Sequence, residues 1–146
     1  MNLSRHFTLE EFLASDLAVR KGIDNTPTPE IEAALTFTAA GMERVREALG
    51  GLPIHISSGY RCAKLNSIVG GQPNSQHMKG EACDFLCPAF GTPREVAIEL
   101  AAFLPPIGFD QLILEYAEWV HISFVEGPAR GSILTIDHNG THQGII

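Results

Sequence analysis

Gln111-Leu112-Ile113-Leu114-Glu115-Tyr116-Ala117-Glu118-Trp119-Val120-His121-Ile122-Ser123-Phe124 holds two β-like runs, Gln111 to Tyr116 and Trp119 to Phe124, joined by a very short connection. A third run, Ser132 to Ile136, follows, and short connections between such runs suit an antiparallel meander. Upstream the signals change to helical ones. Thr8-Leu9-Glu10-Glu11 is a capping box that starts a short helix from Leu9 to Ala14. After the turn-rich Gly22 to Pro27, Thr28-Pro29 reads as an N-cap and first helical position. Ile31, Leu35, Thr38, Met42, Val45 and Leu49 then make one stripe at three- and four-residue steps, ending at Gly50-Gly51. Thr92-Pro93-Arg94-Glu95 repeats the cap, and Val96, Ala97, Leu100, Ala101 and Leu104 form a second stripe that Pro105-Pro106 stops.

Ile54 to Ser57 alternates as a strand, and Cys83 to Cys87 reads as another. Between them Gly59 to Gly80 is rich in glycine and small polar residues. It reads as a long loop with at most one helical turn, near Lys64 to Val69. Helices early and strands late predict an α+β domain, a small antiparallel β-sheet with helices packed on one face. A chain of 146 residues without repeats or linkers predicts one domain.

Composition narrows the function classes. With 10 Lys+Arg against 17 Asp+Glu the net charge is −7, which argues against nucleic acid and against an anionic membrane surface as partners. Apolar residues make up 45% and charged residues 18%, so the chain should fold. No apolar run approaches the roughly 18 residues of a membrane-spanning helix. The opening Met1 to Phe7 lacks the apolar core of a secretory signal, which predicts synthesis in the cytoplasm. Three cysteines, Cys62, Cys83 and Cys87, are too few for a disulfide framework and read as reduced packing thiols.

Chemistry-bearing residues gather in two places. Ser75-Gln76-His77-Met78-Lys79-Gly80-Glu81-Ala82-Cys83-Asp84 puts an imidazole on the loop and a carboxylate on the following strand, and Glu118-Trp119-Val120-His121 adds a second imidazole. Two histidines and one carboxylate make a three-ligand zinc set with a fourth position open, as hydrolytic sites require. Spacing alone leaves the ordinary reading open: a loop histidine, a capping aspartate and a half-buried strand histidine. Residues 118 and 121 face opposite sides of an ideal strand, so Glu118 joins His121 only from the turn before it.

The order and spacing of Ser57-Ser58-Gly59-Tyr60-Arg61, Leu65-Asn66, Val69-Gly70-Gly71, Ser75-x-His77-x-x-Gly80-x-Ala82-x-Asp84 and Glu118-x-x-His121 resemble the zinc D-alanyl-D-alanine peptidases of family M15. The likeness is greatest to its short phage and prophage branch and runs from Phe7 to about Phe124. It implies a Hedgehog/DD-peptidase-like fold, one Zn2+ per chain held by His77, Asp84 and His121, and Glu118 as general base. Glu115, three residues earlier, is the weaker rival for that role. It further implies that Arg61 stabilises the oxyanion, with Ser75 and Tyr60 also at the substrate; Tyr60 and Trp119 otherwise read as packing aromatics.

The implied function is hydrolysis of a peptide bond in the stem peptides of peptidoglycan, by a monomer without membrane insertion. It would reach the cell wall through a separate pore or as a virion component. The alternative is a non-catalytic phage structural or wall-binding module that keeps the zinc fold. His6, His55, His138 and His142 have no partner spacing and read as surface or core residues. Asp137 to Gly140 reads as a turn, and the sequon Asn139-Gly140-Thr141 carries little weight without a secretory signal.

Overall fold

A computed structural model describes residues 1–146. The three caps form as their chemistry dictates. Thr8 and Thr92 make complete capping boxes at the starts of α1 (Leu9–Leu13) and α5 (Pro93–Ala101), and the Thr28 hydroxyl accepts the Ile31 N–H at the start of α3 (Pro29–Ala48). Two further helices add to the expected ones: α2 (Asp16–Lys21), capped by Ser15, and α6 (Leu104–Ile107), which contains the Pro105-Pro106 pair expected to stop α5. The long loop holds α4 (Ala63–Ile68) and a 3-10 helix, Gln76–Lys79.

Six strands form one sheet in the order β1-β2-β4-β3-β5-β6: β1 (His55–Ser58), β2 (Ala82–Leu86), β3 (Gln111–Glu115), β4 (Trp119–Ser123), β5 (Ser132–Asp137) and β6 (Gly140–Gln143). The α+β architecture is the expected one. The meander is corrected. β3 and β4 form an antiparallel hairpin, but the chain then crosses to the far side of β3, and β5 pairs with it in parallel. The tail closes the sheet as β6 on β5, with the expected turn at Asp137 to Gly140 between them.

Alternation along the strands gives the two faces opposite characters. Cys83, Phe85, Leu112, Leu114, Val120 and Ile122 point to one side and join Leu35, Met42, Val45, Val96 and Leu100 of α3 and α5 in the buried core. Asp84, His121 and Ile113 occupy one register row across β2, β4 and β3, and so lie together on the other side. There the 3-10 helix covers the sheet, since its His77 reaches Asp84, and α4 packs against the 3-10 helix. No helix is long and apolar enough to cross a membrane. All three cysteines are free; Cys83 lies fully buried, and that burial first, with Asp84 adding, pushes its thiol well up.

Candidate metal centre

His77 is placed by backbone and hydroxyl contacts on every side. Ser75 caps the 3-10 helix by accepting the His77 N–H at 3.2 Å, and the Arg61 N–H donates to the His77 carbonyl at 3.1 Å. Gly80 ends the helix at φ 72°, and its carbonyl accepts the buried Thr38 hydroxyl of α3 at 2.7 Å. A Cβ there would stand 2.9 Å from the Ile31 carbonyl oxygen, so glycine answers both the left-handed conformation and the close approach. The ring itself is oriented by Gly59, whose carbonyl lies 2.7 Å from Nδ1. A carbonyl only accepts, so Nδ1 carries the proton and Nε2 turns its lone pair toward the sheet.

That lone pair meets Asp84 and His121. His77 Nε2 is 3.4 Å from Asp84 Oδ1, and His121 Nδ1 is 3.0 Å from the same oxygen. The three donor atoms all lie within 4.8 Å of one another, and the side chains are nearly buried. Donors at about 2.0 to 2.1 Å from a tetrahedral ion stand roughly 3.3 Å apart, so the spacing and the two-imidazole, one-carboxylate chemistry fit zinc with little movement. Burial alone would raise the Asp84 carboxyl, but its polar contacts with His121 and His77 outweigh that and hold the group well below the usual carboxylate range. A carboxylate that stays ionised is ready to ligate.

The second acidic group beside the centre is Glu115. It pairs with Trp119 across the β3–β4 hairpin, on the face that carries His121, and its Oε1 lies 3.6 Å from His121 Nδ1. Burial pushes the Glu115 carboxyl up, Asp84 adds to that, and His121 and Arg61 oppose it. The centre opens into a cleft of about 620 Å³, walled by the sheet residues Gln111, Ile113 and Trp119 on one side and by Arg61, Asn74, Ser75 and Gln76 on the other.

A family profile described as Peptidase M15 matches residues 5–123. The chain belongs to peptidase family M15. A segment of 43 residues is 44% identical to the zinc D-Ala-D-Ala carboxypeptidase of Streptomyces albus G, covering 30% of this chain and 17% of that relative's length.

Within this M15 chain the other residues singled out by sequence divide clearly. Arg61 lines the cleft, its Nε donating to Asn66 Oδ1 at 3.2 Å and its Nη2 reaching Ser75 Oγ at 3.5 Å. Burial lowers its pKa, with Asp84 and Glu115 opposing, and the guanidinium stays charged. Ser75 thus touches both Arg61 and the His77 backbone. Trp119 lines the cleft as well. Tyr60, expected at the substrate, instead packs in the hydrophobic core and is absent from the cleft wall, because its N–H is tied to the Phe12 carbonyl at 2.7 Å on the α1 side.

Glu118 occupies the turn as expected, where it is exposed and does not line the cleft. The turn closes with the Glu118 N–H donating to the Glu115 carbonyl at 3.0 Å, and its middle residues Tyr116 and Ala117 take φ of 54° and 56°.

Two asparagines hold the loop in place. Asn25 accepts the Cys62 N–H at 2.8 Å and donates to the carbonyls of Leu13 and Tyr60, which braces the segment carrying Arg61. Asn66 is buried; its side chain donates to the Gln72 carbonyl at 3.0 Å while accepting from Arg61. Only the Leu65-Asn66 pair within the family pattern pointed to either of them.

Proposed function

We propose that this chain is a zinc-dependent hydrolase of a peptide bond in the stem peptide of peptidoglycan, with His77, Asp84 and His121 holding one zinc and Glu115 as general base. The observation that carries the reading is the meeting of these three donors with a half-buried carboxylate 3.6 Å from His121, in a chain of family M15. When bound, zinc would supply a Lewis acid that acidifies water to a pKa of about 7 and polarises a carbonyl.

The protein's own groups do the rest. Glu115 takes the proton of the attacking water and returns it to the nitrogen of the breaking C–N bond. Arg61, held by Asn66 and Ser75, offers its remaining N–H donors to the oxygen on which charge develops. A wall-binding module without turnover would have no use for Glu115 beside the centre. The resemblance to the short phage branch supports a lytic role at the cell wall, performed by a monomer.

The test is mass spectrometry of defined muropeptides incubated with the zinc-loaded protein. One peptide bond should be lost, the loss should stop with chelator and return with zinc, and the product masses name the bond. Intact muropeptides under every metal condition would favour the wall-binding module.

A further inference from the structure

At the Gln111 end of the cleft a second arginine stands in a built setting. Asp110, just before β3, is 3% exposed and accepts from Arg130 three ways: backbone N–H to Oδ1 at 2.9 Å, Nε to Oδ1 at 3.1 Å and Nη2 to Oδ2 at 2.7 Å. Gln76, the neighbour of His77, donates to the same carboxylate at 3.0 Å. Arg130 nevertheless remains 59% exposed and lines the cleft. A guanidinium carries five N–H donors in a rigid fork. Asp110 occupies the Nε and inner Nη2 side, and the outer Nη2 side reaches Gln76 Oε1 only at 3.5 Å. The end formed by Nη1 and Nη2 is left for a second planar anion, already held in place, so that binding costs little side-chain entropy.

We propose that Arg130 forms a carboxylate-binding subsite that holds a free carboxylate of the substrate peptide one or two residues from the scissile bond. This rests on the peptidase reading above. The distance follows from the strand: Gln111 lies two residues along β3 from Ile113, which stands opposite His121, about 6.8 Å at strand rise. An extended substrate covers that span in about two residues. The fork matches a carboxylate bidentately, and with Asp84 and Glu115 in the same cleft a singly charged anion fits better than a phosphate. The carboxylate comes either from the end of the stem peptide or from an acidic residue within it.

Binding calorimetry on the zinc-loaded protein tests this, with short stem peptides in two matched pairs: terminal carboxylate against terminal carboxamide, and internal acid against internal amide. The products of each sample are read by mass spectrometry. One pair should show at least tenfold tighter binding of the acid, and that pair identifies the source. In Arg130→Gln the preference should fall below threefold with amide binding unchanged. Should that variant not fold, Arg130→Lys carries the test, since it keeps a point charge and loses the fork: the preference should drop severalfold. Equal binding of acid and amide by the wild type, or an undiminished preference in the variants, overturns the subsite. A preference without any cleavage would sink the peptidase reading and leave the subsite standing.

Discussion

Glu115 reaches His121 diagonally across the β3–β4 hairpin, with 3.6 Å between Oε1 and Nδ1, although Glu118 is the carboxylate nearer to His121 in the chain. The pairing explains the inversion. Glu115 lies opposite Trp119, and Trp119 and His121 are two residues apart on one face of β4, whereas Glu118 belongs to the turn itself.

Zinc should stabilise the fold through the three donors. At free zinc about a thousandfold above its dissociation constant, linkage contributes about 4 kcal/mol, a rise in melting temperature of roughly 8 to 16 °C for a domain of this size. Thermal shift with and without zinc should show that rise in the wild type and its loss in His77→Ala, Asp84→Asn and His121→Ala. A full rise in any of the three would remove that residue from the ligand set.

Gly59 couples the fold to the centre. A Cβ on it would collide with the Phe12 backbone, and its carbonyl is the group that orients His77. Gly59→Ala should therefore destabilise by about 1 to 3 kcal/mol in urea denaturation and weaken zinc in chelator competition by roughly 10- to 100-fold. Lost stability with unchanged zinc affinity would show that the Gly59 carbonyl does not orient the ligand.

The Asp110–Arg130 pair sets a pH dependence. Hydrogen bonding from Arg130, against the opposing effect of burial, holds the Asp110 carboxyl at about 2, below its ordinary 3.8. A depressed folded-state value means the stabilisation is present above pH 4 and fades as the pH falls toward 2. Because Arg130 is 59% exposed, the contribution is screened and amounts to about 1 kcal/mol. Urea-derived stabilities of wild type and Asp110→Asn should differ by that much at pH 7 and converge as the pH falls from 4 toward 2; a gap that stays constant with pH would contradict the ion pair.

Local chemistry made much of this molecule legible from its residues alone. The threonine caps, the α3 stripe and the alternating strands act within a few residues, and the spacing around His77 and Asp84 is a local pattern as well. What escaped depends on distant partners. The parallel seating of β5 on β3 is decided by a crossover that no short connection announces, and β6 forms only because β5 offers it an edge. α2 has a serine cap but only six residues, too few for a periodic stripe. The proposed base was within reach of parity: counting Gln111, Ile113, Glu115 down one strand and Trp119, His121, Ser123 up the next puts Glu115 on the histidine face.

The decisive measurement pairs Glu115→Gln with Glu118→Gln, reading zinc content and muropeptide hydrolysis in the same preparations. Glu115→Gln should keep about one zinc per chain and lose roughly 100- to 10,000-fold in hydrolysis, as loss of a general base does, while Glu118→Gln stays within about twofold of wild type. The reverse pattern, with Glu118→Gln inactive and Glu115→Gln active, would contradict the site described.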